Sequence, residues 1–127
     1  MSSYHYFGNE GESIPEDVEE LVVHPLVPQI SERACECFQW LTRVNFSGSV
    51  LSTIGKAAFN GCVCLLEIEI PRSVTTVGTE AFMTCQSLTT VRFHQDGGLL
   101  TTIGSWAFAD CSSLAEVSIP SSVETIG

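Results

Sequence analysis

The sequence predicts a repeat solenoid of the α/β type, mainly β. Short parallel strands and one helical or 3-10 turn recur in each unit of about 23 residues. Three observations carry this. First, residues 54–71 (IGKAAFNGCVCLLEIEIP), 77–94 (VGTEAFMTCQSLTTVRFH) and 103–120 (IGSWAFADCSSLAEVSIP) share one spaced set, Ile/Val-Gly-x-x-Ala-Phe-x-x-Cys-x-x-Leu-x-x-Ile/Val-x-Ile/Phe. Second, the units begin at Ile30, Ile54, Val77, Ile103 and Ile126, in steps of 24, 23, 26 and 23 residues. Third, Leu65, Ile68 and Ile70 are interleaved with Glu67 and Glu69, an alternation that gives a strand with one buried face.

The elements follow in order. Residues 1–17 hold little apolar material and read as a disordered head or a loose N-terminal cap. The solenoid occupies 18–127, in four to five units. Val18, Leu21 and Val23 match the second half of the pattern, and residues 30–47 (ISERACECFQWLTRVNFS) form a variant first unit. Within one unit, Pro71 lacks the N–H a ladder needs and ends the strand. Val74 and Val77 turn inward from a second, shorter extended run, and Gly78 permits a turn. Ala81, Phe82 and Cys85, at i, i+1 and i+4, suit one helical or 3-10 turn facing the core. The long step contains HQDGG at 94–98, a loop insertion. At the far end no polar capping segment follows Ile126, which leads us to expect either a fragment of a longer array or end-to-end association through an uncapped edge.

Stacking equivalent residues gives the core. Phe59, Phe82 and Phe108 form one column, Leu41, Leu65, Leu88 and Leu114 another, and Ala34, Ala58, Ala81 and Ala107 a third where the turn packs close. In the first unit Cys35 stands in the Phe column and Phe38 in the Cys column, an exchange that roughly conserves volume. The recurring set of Gly, Ala-Phe, Cys, Leu and Val-x-Ile-Pro resembles the BspA-type leucine-rich repeats over about residues 18–127. It departs from the commonest leucine-rich pattern, because Pro rather than Asn or Cys follows the strand. The resemblance implies a parallel leucine-rich repeat solenoid used for binding, and it carries over no catalytic residue. It also admits a secreted or cell-surface location.

Charge and composition exclude several functions. Only 16% of residues are charged, against about 25% in ordinary domains. The formal net charge is −10. Six acids, Glu10, Glu12, Glu16, Asp17, Glu19 and Glu20, lie in the first twenty residues with no Lys or Arg among them. No basic stripe exists to neutralise phosphates, so neither nucleic acid nor an anionic membrane is expected as a partner. The N-terminus has no basic-then-apolar leader, and no apolar run approaches the ~20 residues of a membrane span. These features favour a soluble intracellular protein whose cysteines stay reduced.

The six cysteines pose the chemical question. Cys62, Cys85 and Cys111 share a column with Phe38, which makes them packing positions. Equivalent residues in a ladder stand roughly 4.8 Å apart and point the same way, whereas zinc needs thiolates converging at ~2.3 Å. Cys37 and Cys64 fall off that column, near the surface, and leave redox sensing or metal binding as an alternative reading. His24 and His94 share a column three units apart, too far to hold one metal. No P-loop, dinucleotide fingerprint or nucleophile elbow occurs. No catalytic residue, metal or cofactor is expected.

The outward strand face is the better lead. Its rows are Glu20, Arg43, Glu67, Thr90, Glu116 and Val22, Asn45, Glu69, Arg92, Ser118. Cross-strand charge pairing accounts for any one of these residues, at about 0.2–1 kcal/mol per pair, whereas the face as a whole suits a polar ligand. The candidate binding residues are therefore Arg43, Asn45, Glu67, Glu69, Thr90, Arg92, Glu116 and Ser118, with Trp106 as a separate outward aromatic anchor. The reading is a non-catalytic module for a protein or other macromolecular partner. A structural fragment of a larger repeat protein is the alternative. The Phe column generates a first prediction. Replacing Phe82 by Ala lowers the unfolding free energy by about 3–5 kcal/mol, measured by urea titration of the wild-type and variant chains.

Overall fold

The computed structural model describes residues 2–46, 50–94 and 98–127. Among these residues ten strands follow one another: β1 Ser3–Tyr6, β2 Glu20–Val23, β3 Gln29–Ile30, β4 Arg43–Asn45, β5 Thr53–Ile54, β6 Glu67–Glu69, β7 Thr76–Val77, β8 Thr90–Arg92, β9 Thr102–Ile103 and β10 Thr125–Ile126. Every pairing is parallel. The two-residue strands make one sheet in the order β10-β9-β7-β5-β3, and the longer strands make two, β1-β2-β4 and β6-β8. The chain is thus the expected β-solenoid, with each unit laid in register on the last. The insertion expected at 94–98 falls mostly on 95–97, which lie outside the described residues.

Alternation decides which way each strand faces. Leu21, Val44, Ile68 and Val91 turn inward and are buried, while Arg43, Asn45, Glu67, Glu69 and Arg92 flank them on the exposed side. In the second sheet Ile30, Ile54, Val77 and Ile103 point inward. Their outward neighbours Gln29, Thr53, Thr76, Thr102 and Thr125 stand in register, a row dominated by β-branched residues that suit a pleated surface. Strand starts are also tied across units. Ser52, Thr75 and Thr101 each donate a hydroxyl to a carbonyl of the preceding unit, at Pro28, Ser52 and Thr75.

No helix forms among the described residues. In place of the expected helical or 3-10 turn, the chain makes a run of overlapping β-turns. In the second unit, Ala58, Asn60 and Cys62 donate back to Gly55, Ala57 and Phe59. The alternate residues Ala57, Phe59 and Gly61 instead donate forward, to Thr79, Ala81 and Met83 of the next unit, at 2.8–2.9 Å. The same alternation occurs at 33–38 and 80–85. Aiming every second N–H sideways requires left-handed backbone: Arg33, Cys37, Ala57, Glu80, Thr84, Trp106 and Asp110 have φ of 55–63°, and Gly61 has 77°. A helix cannot accommodate such residues, which cost about 1–2 kcal/mol each when not glycine. The lateral hydrogen bonds offset that cost, because a buried N–H without an acceptor is comparably unfavourable.

Gly78 serves close approach and not a left-handed turn. A Cβ there would lie 2.8 Å from the Gly55 carbonyl carbon and the Lys56 nitrogen. Gly55 and Gly104 are equally hemmed by the unit before them, at 2.5 Å from Ile30 O and Thr79 N. The first unit has Ser31 in this column, where no equivalent turn precedes it, and its hydroxyl lies 3.2 Å from that of Tyr6.

That contact belongs to the head. Residues 3–6 form β1 on the edge of β2, where the sequence led us to expect disorder or a loose cap. Tyr6 and Ile14 are buried, and Tyr4 Oη donates to Glu12 Oε2 at 2.7 Å. The Glu12 carboxylate also accepts from the Phe7 and Asn9 N–H groups. Burial opposes its ionisation, yet the hydrogen bonds from Tyr4 and from the backbone of Asn9, Phe7 and Gly8 outweigh it and hold the carboxyl below its usual range. An acid-rich stretch therefore folds, because one carboxylate closes the loop that carries the two apolar anchors.

Inside the solenoid the Phe column stacks nearly flat. Phe59 and Phe82 lie 5.3 Å apart at 5°, and Phe82 and Phe108 lie 5.5 Å apart at 2°. The thiol column does more than fill space. Cys62 Sγ donates to Cys35 O at 3.1 Å, Cys85 Sγ to Phe59 O at 3.2 Å, and Cys111 Sγ to Phe82 O at 3.1 Å. Each thiol thus reaches the carbonyl of the Phe-column residue one unit earlier. The exchange in the first unit follows from this. Phe38 occupies the thiol column where no earlier turn offers a carbonyl, and Cys35 takes the vacated Phe position. Burial pushes the Cys35 thiol up to about 12 and raises those of Cys62, Cys85 and Cys111 as well.

Two outcomes follow. Gly78→Ala forces backbone apart between two units and lowers the unfolding free energy by about 1–3 kcal/mol, read from chemical denaturation. A thiol reagent in excess labels exposed Cys37 first and half-buried Cys64 more slowly. Cys35, Cys62, Cys85 and Cys111 react only after unfolding, and mass spectrometry of the labelled peptides checks the order.

Candidate functional site

The exposed side of the longer strands carries most of the candidate residues. Parallel pairing sets Glu67 beside Thr90 and Glu69 beside Arg92, with Glu20 beside Arg43 and Val22 beside Asn45. Between β4 and β6 the ladder is interrupted. Leu66 N–H donates to Thr42 O at 3.3 Å where the two strands start, but the strands belong to separate sheets. A groove of about 530 Å³ opens over this junction. Buried Val44 and Phe46 contribute its floor, and Arg43, Asn45, Glu67, Glu69 and Arg92 line it from the strands. Pro71, Arg72 and His94 close the end where the strands stop.

Five of the nine candidates named from the sequence therefore share one groove. Thr90, Glu116 and Ser118 lie beside it, around a second depression that also takes in Arg92. The chain at 116–118 is not in strand conformation, so the two rows end as ladders at β8. Trp106 is not part of this surface. It sits on the turn face, 64% exposed, at a left-handed position shared with Arg33, Ala57 and Glu80.

Electrostatics refine the charge pairing. Glu69 is the register partner of Arg92, yet the ion pair forms diagonally, from Arg92 Nη1 to Glu67 Oε2 at 3.8 Å. Both side chains are more than half exposed, so the pair adds little to stability. Three of the five Lys and Arg residues, Arg43, Arg72 and Arg92, line this one groove. Sequence reasoning missed Arg72 and weighed His94 only as a metal ligand. Both lie just beyond a strand end, in Ile70-Pro71-Arg72 and Phe93-His94, and that offset from the strand edge is the signal that could have found them.

No group of three or more His, Cys, Asp and Glu side chains converges to hold a metal among the described residues. His24 faces the head instead, its ring 5.2 Å from that of Phe7. Among the described residues no helix is long and apolar enough to cross a membrane.

Comparison with known proteins agrees with this architecture. A family model for the BspA type leucine rich repeat region matches residues 18–127 in six copies. No curated protein sequence matches the chain. The crystal structure of the pneumococcal vaccine antigen PcpA is similar, with a TM-score of 0.82 at 27% identity, over 99% of this chain and 32% of that one. The leucine rich repeat protein of T. pallidum superposes with a TM-score of 0.77 at 31% identity, over 86% of this chain and 51% of that one. A leucine rich cell surface protein of Faecalibacterium prausnitzii shares the fold, with a TM-score of 0.60 at 22% identity. This chain thus spans about a third to a half of the length of the first two structures. With the repeat, the parallel register and the family model in agreement, the chain belongs to the BspA-type leucine-rich repeat family.

Proposed function

We propose that this chain is a non-catalytic repeat module that takes a protein partner on its outward strand face. Repeat modules of this family commonly serve binding. The observation that carries the reading is the open groove over the β4–β6 junction, with its apolar floor and polar walls. Arg43, Asn45, Glu67, Glu69 and Arg92 are the first contact candidates, and Thr90, Glu116 and Ser118 extend the surface. An apolar floor ringed by charge suits an interface, where a few buried side chains supply affinity and the rim sets orientation.

Chemistry at this face is disfavoured by what lines it. Among the described residues, the groove's lining includes no Ser, Thr or Cys that a neighbouring base could activate. The carboxylates among its described lining residues, Glu67 and Glu69, stand on the exposed side of one strand, without the apolar enclosure that general acid catalysis requires.

Selection of a random peptide library on the immobilised chain tests the reading. Binders should lose at least about ten-fold in affinity, 1.4 kcal/mol, when Glu69→Trp obstructs the groove, and should stay unchanged on Trp106→Ala. Binders sensitive to Trp106→Ala and indifferent to Glu69→Trp would move the site to the turn face.

A further inference from the structure

We infer that the groove recognises a carboxylate-rich, extended segment of its protein partner, held chiefly by Arg43 and Arg72. The inference rests on the strand-face reading and adds the chemistry of the partner. Its ground is a contrast of charge within one molecule. The chain carries 15 acids and 5 bases, yet among the described residues three of those bases line a single groove against two carboxylates. The other two bases lie elsewhere. Arg33 is engaged on the turn face with Glu36 at 2.7 Å and Glu32 at 3.8 Å, and Lys56 is exposed there.

Within the groove the three guanidinium groups are not equivalent. Arg92 shares Glu67. Arg43 and Arg72 have no carboxylate within 4.0 Å among the described residues. Arginine is the side chain best built for carboxylates, because its planar fork gives two parallel hydrogen bonds and is weakly hydrated. Arg43 lies on β4 and Arg72 beyond the end of β6, so a ligand reaching both lies across the junction where the ladder is interrupted. An extended segment with acids on alternate residues presents them on one side of its backbone and can address both. Glu67 and Glu69 restrict which segments fit. They repel acid placed over β6, which favours carboxylates at the groove's two ends with a neutral or donor residue between. The strongly acidic remainder of the surface repels such a segment everywhere else, so the groove is also where a collision would be retained.

Three fluorescein-labelled peptides of equal length serve as probes on the full chain, alternating Glu-Ser, Lys-Ser and Asn-Ser, followed by fluorescence anisotropy. The Glu-Ser peptide should bind tightest, weaken as salt is raised, and lose at least about ten-fold in affinity in Arg43→Glu/Arg72→Glu. Arg43→Gln/Arg72→Gln, which adds no repulsion, should lose most of that affinity too, and Lys56→Glu on the turn face should leave it unchanged. Equal binding of the Glu-Ser and Lys-Ser peptides, or Glu-Ser binding untouched by both arginine variants, overturns the proposal. Preference for Lys-Ser or Asn-Ser that Glu69→Trp abolishes also overturns it while leaving the strand-face reading standing. Failure of all three peptides, together with a library selection that yields no groove binder, overturns both.

Discussion

The lateral backbone hydrogen bond between successive units is the constraint on which the rest of this structure depends. A unit of some 23 residues cannot bury its own apolar face, and here it does not satisfy its own amides either. On the turn face every second N–H is aimed at the neighbour's carbonyl, as from Phe59 to Ala81 and from Phe82 to Ala107. Left-handed residues, the glycine column and the thiol column all follow. The left-handed positions rotate the donors sideways, glycine lets the two backbones come within reach, and the thiol adds a side-chain donor aimed back at the preceding unit. The flat stacking of Phe59, Phe82 and Phe108 is what remains for the side chains once the backbones are locked at this spacing.

The ladder of the longer strands is less strictly maintained, and the groove opens where it is interrupted. Between β4 and β6 the strands part company as a sheet, while β5 and β7 behind them keep their pairing. The core is therefore continuous through the junction, with Val44, Ile68 and Val91 all buried. A surface can open there without loosening the interior, and that separation of scaffold from face allows the outward residues to vary freely in charge.

Much of the fold was legible in the sequence, because burial repeats with the chain. The period, the strands, the inward columns and the surface position of Cys37 were all readable from residue type. The turn was not. Helical spacing at Ala81, Phe82 and Cys85 fits a run of β-turns equally well, since both place i and i+4 on one side. The distinguishing sign was in the column of Cys37, where Gly61 and Asp110, residue types tolerant of left-handed backbone, stand at equivalent positions. The thiol donors were hidden for a different reason: a side chain that both packs and donates looks, in sequence, like one that only packs. The head escaped because its order comes from one carboxylate and two scattered anchors, Tyr6 and Ile14, with no periodicity. Of the groove, the strand rows were visible and the closing residues Arg72 and His94 were not, since they lie where the alternation has already stopped.

Ser31 gives the array a direction. The units that begin at Ile54, Val77 and Ile103 are interchangeable as far as their contact with a predecessor goes, because each presents a glycine. The unit that begins at Ile30 is not, since its serine Cβ would collide with any turn stacked before it, and its Phe38 would displace the thiol that such a turn expects. Lengthening by duplication is thus open to the interior units and closed to the first. The grammar of the repeat has an opening word that cannot be used in mid-sentence.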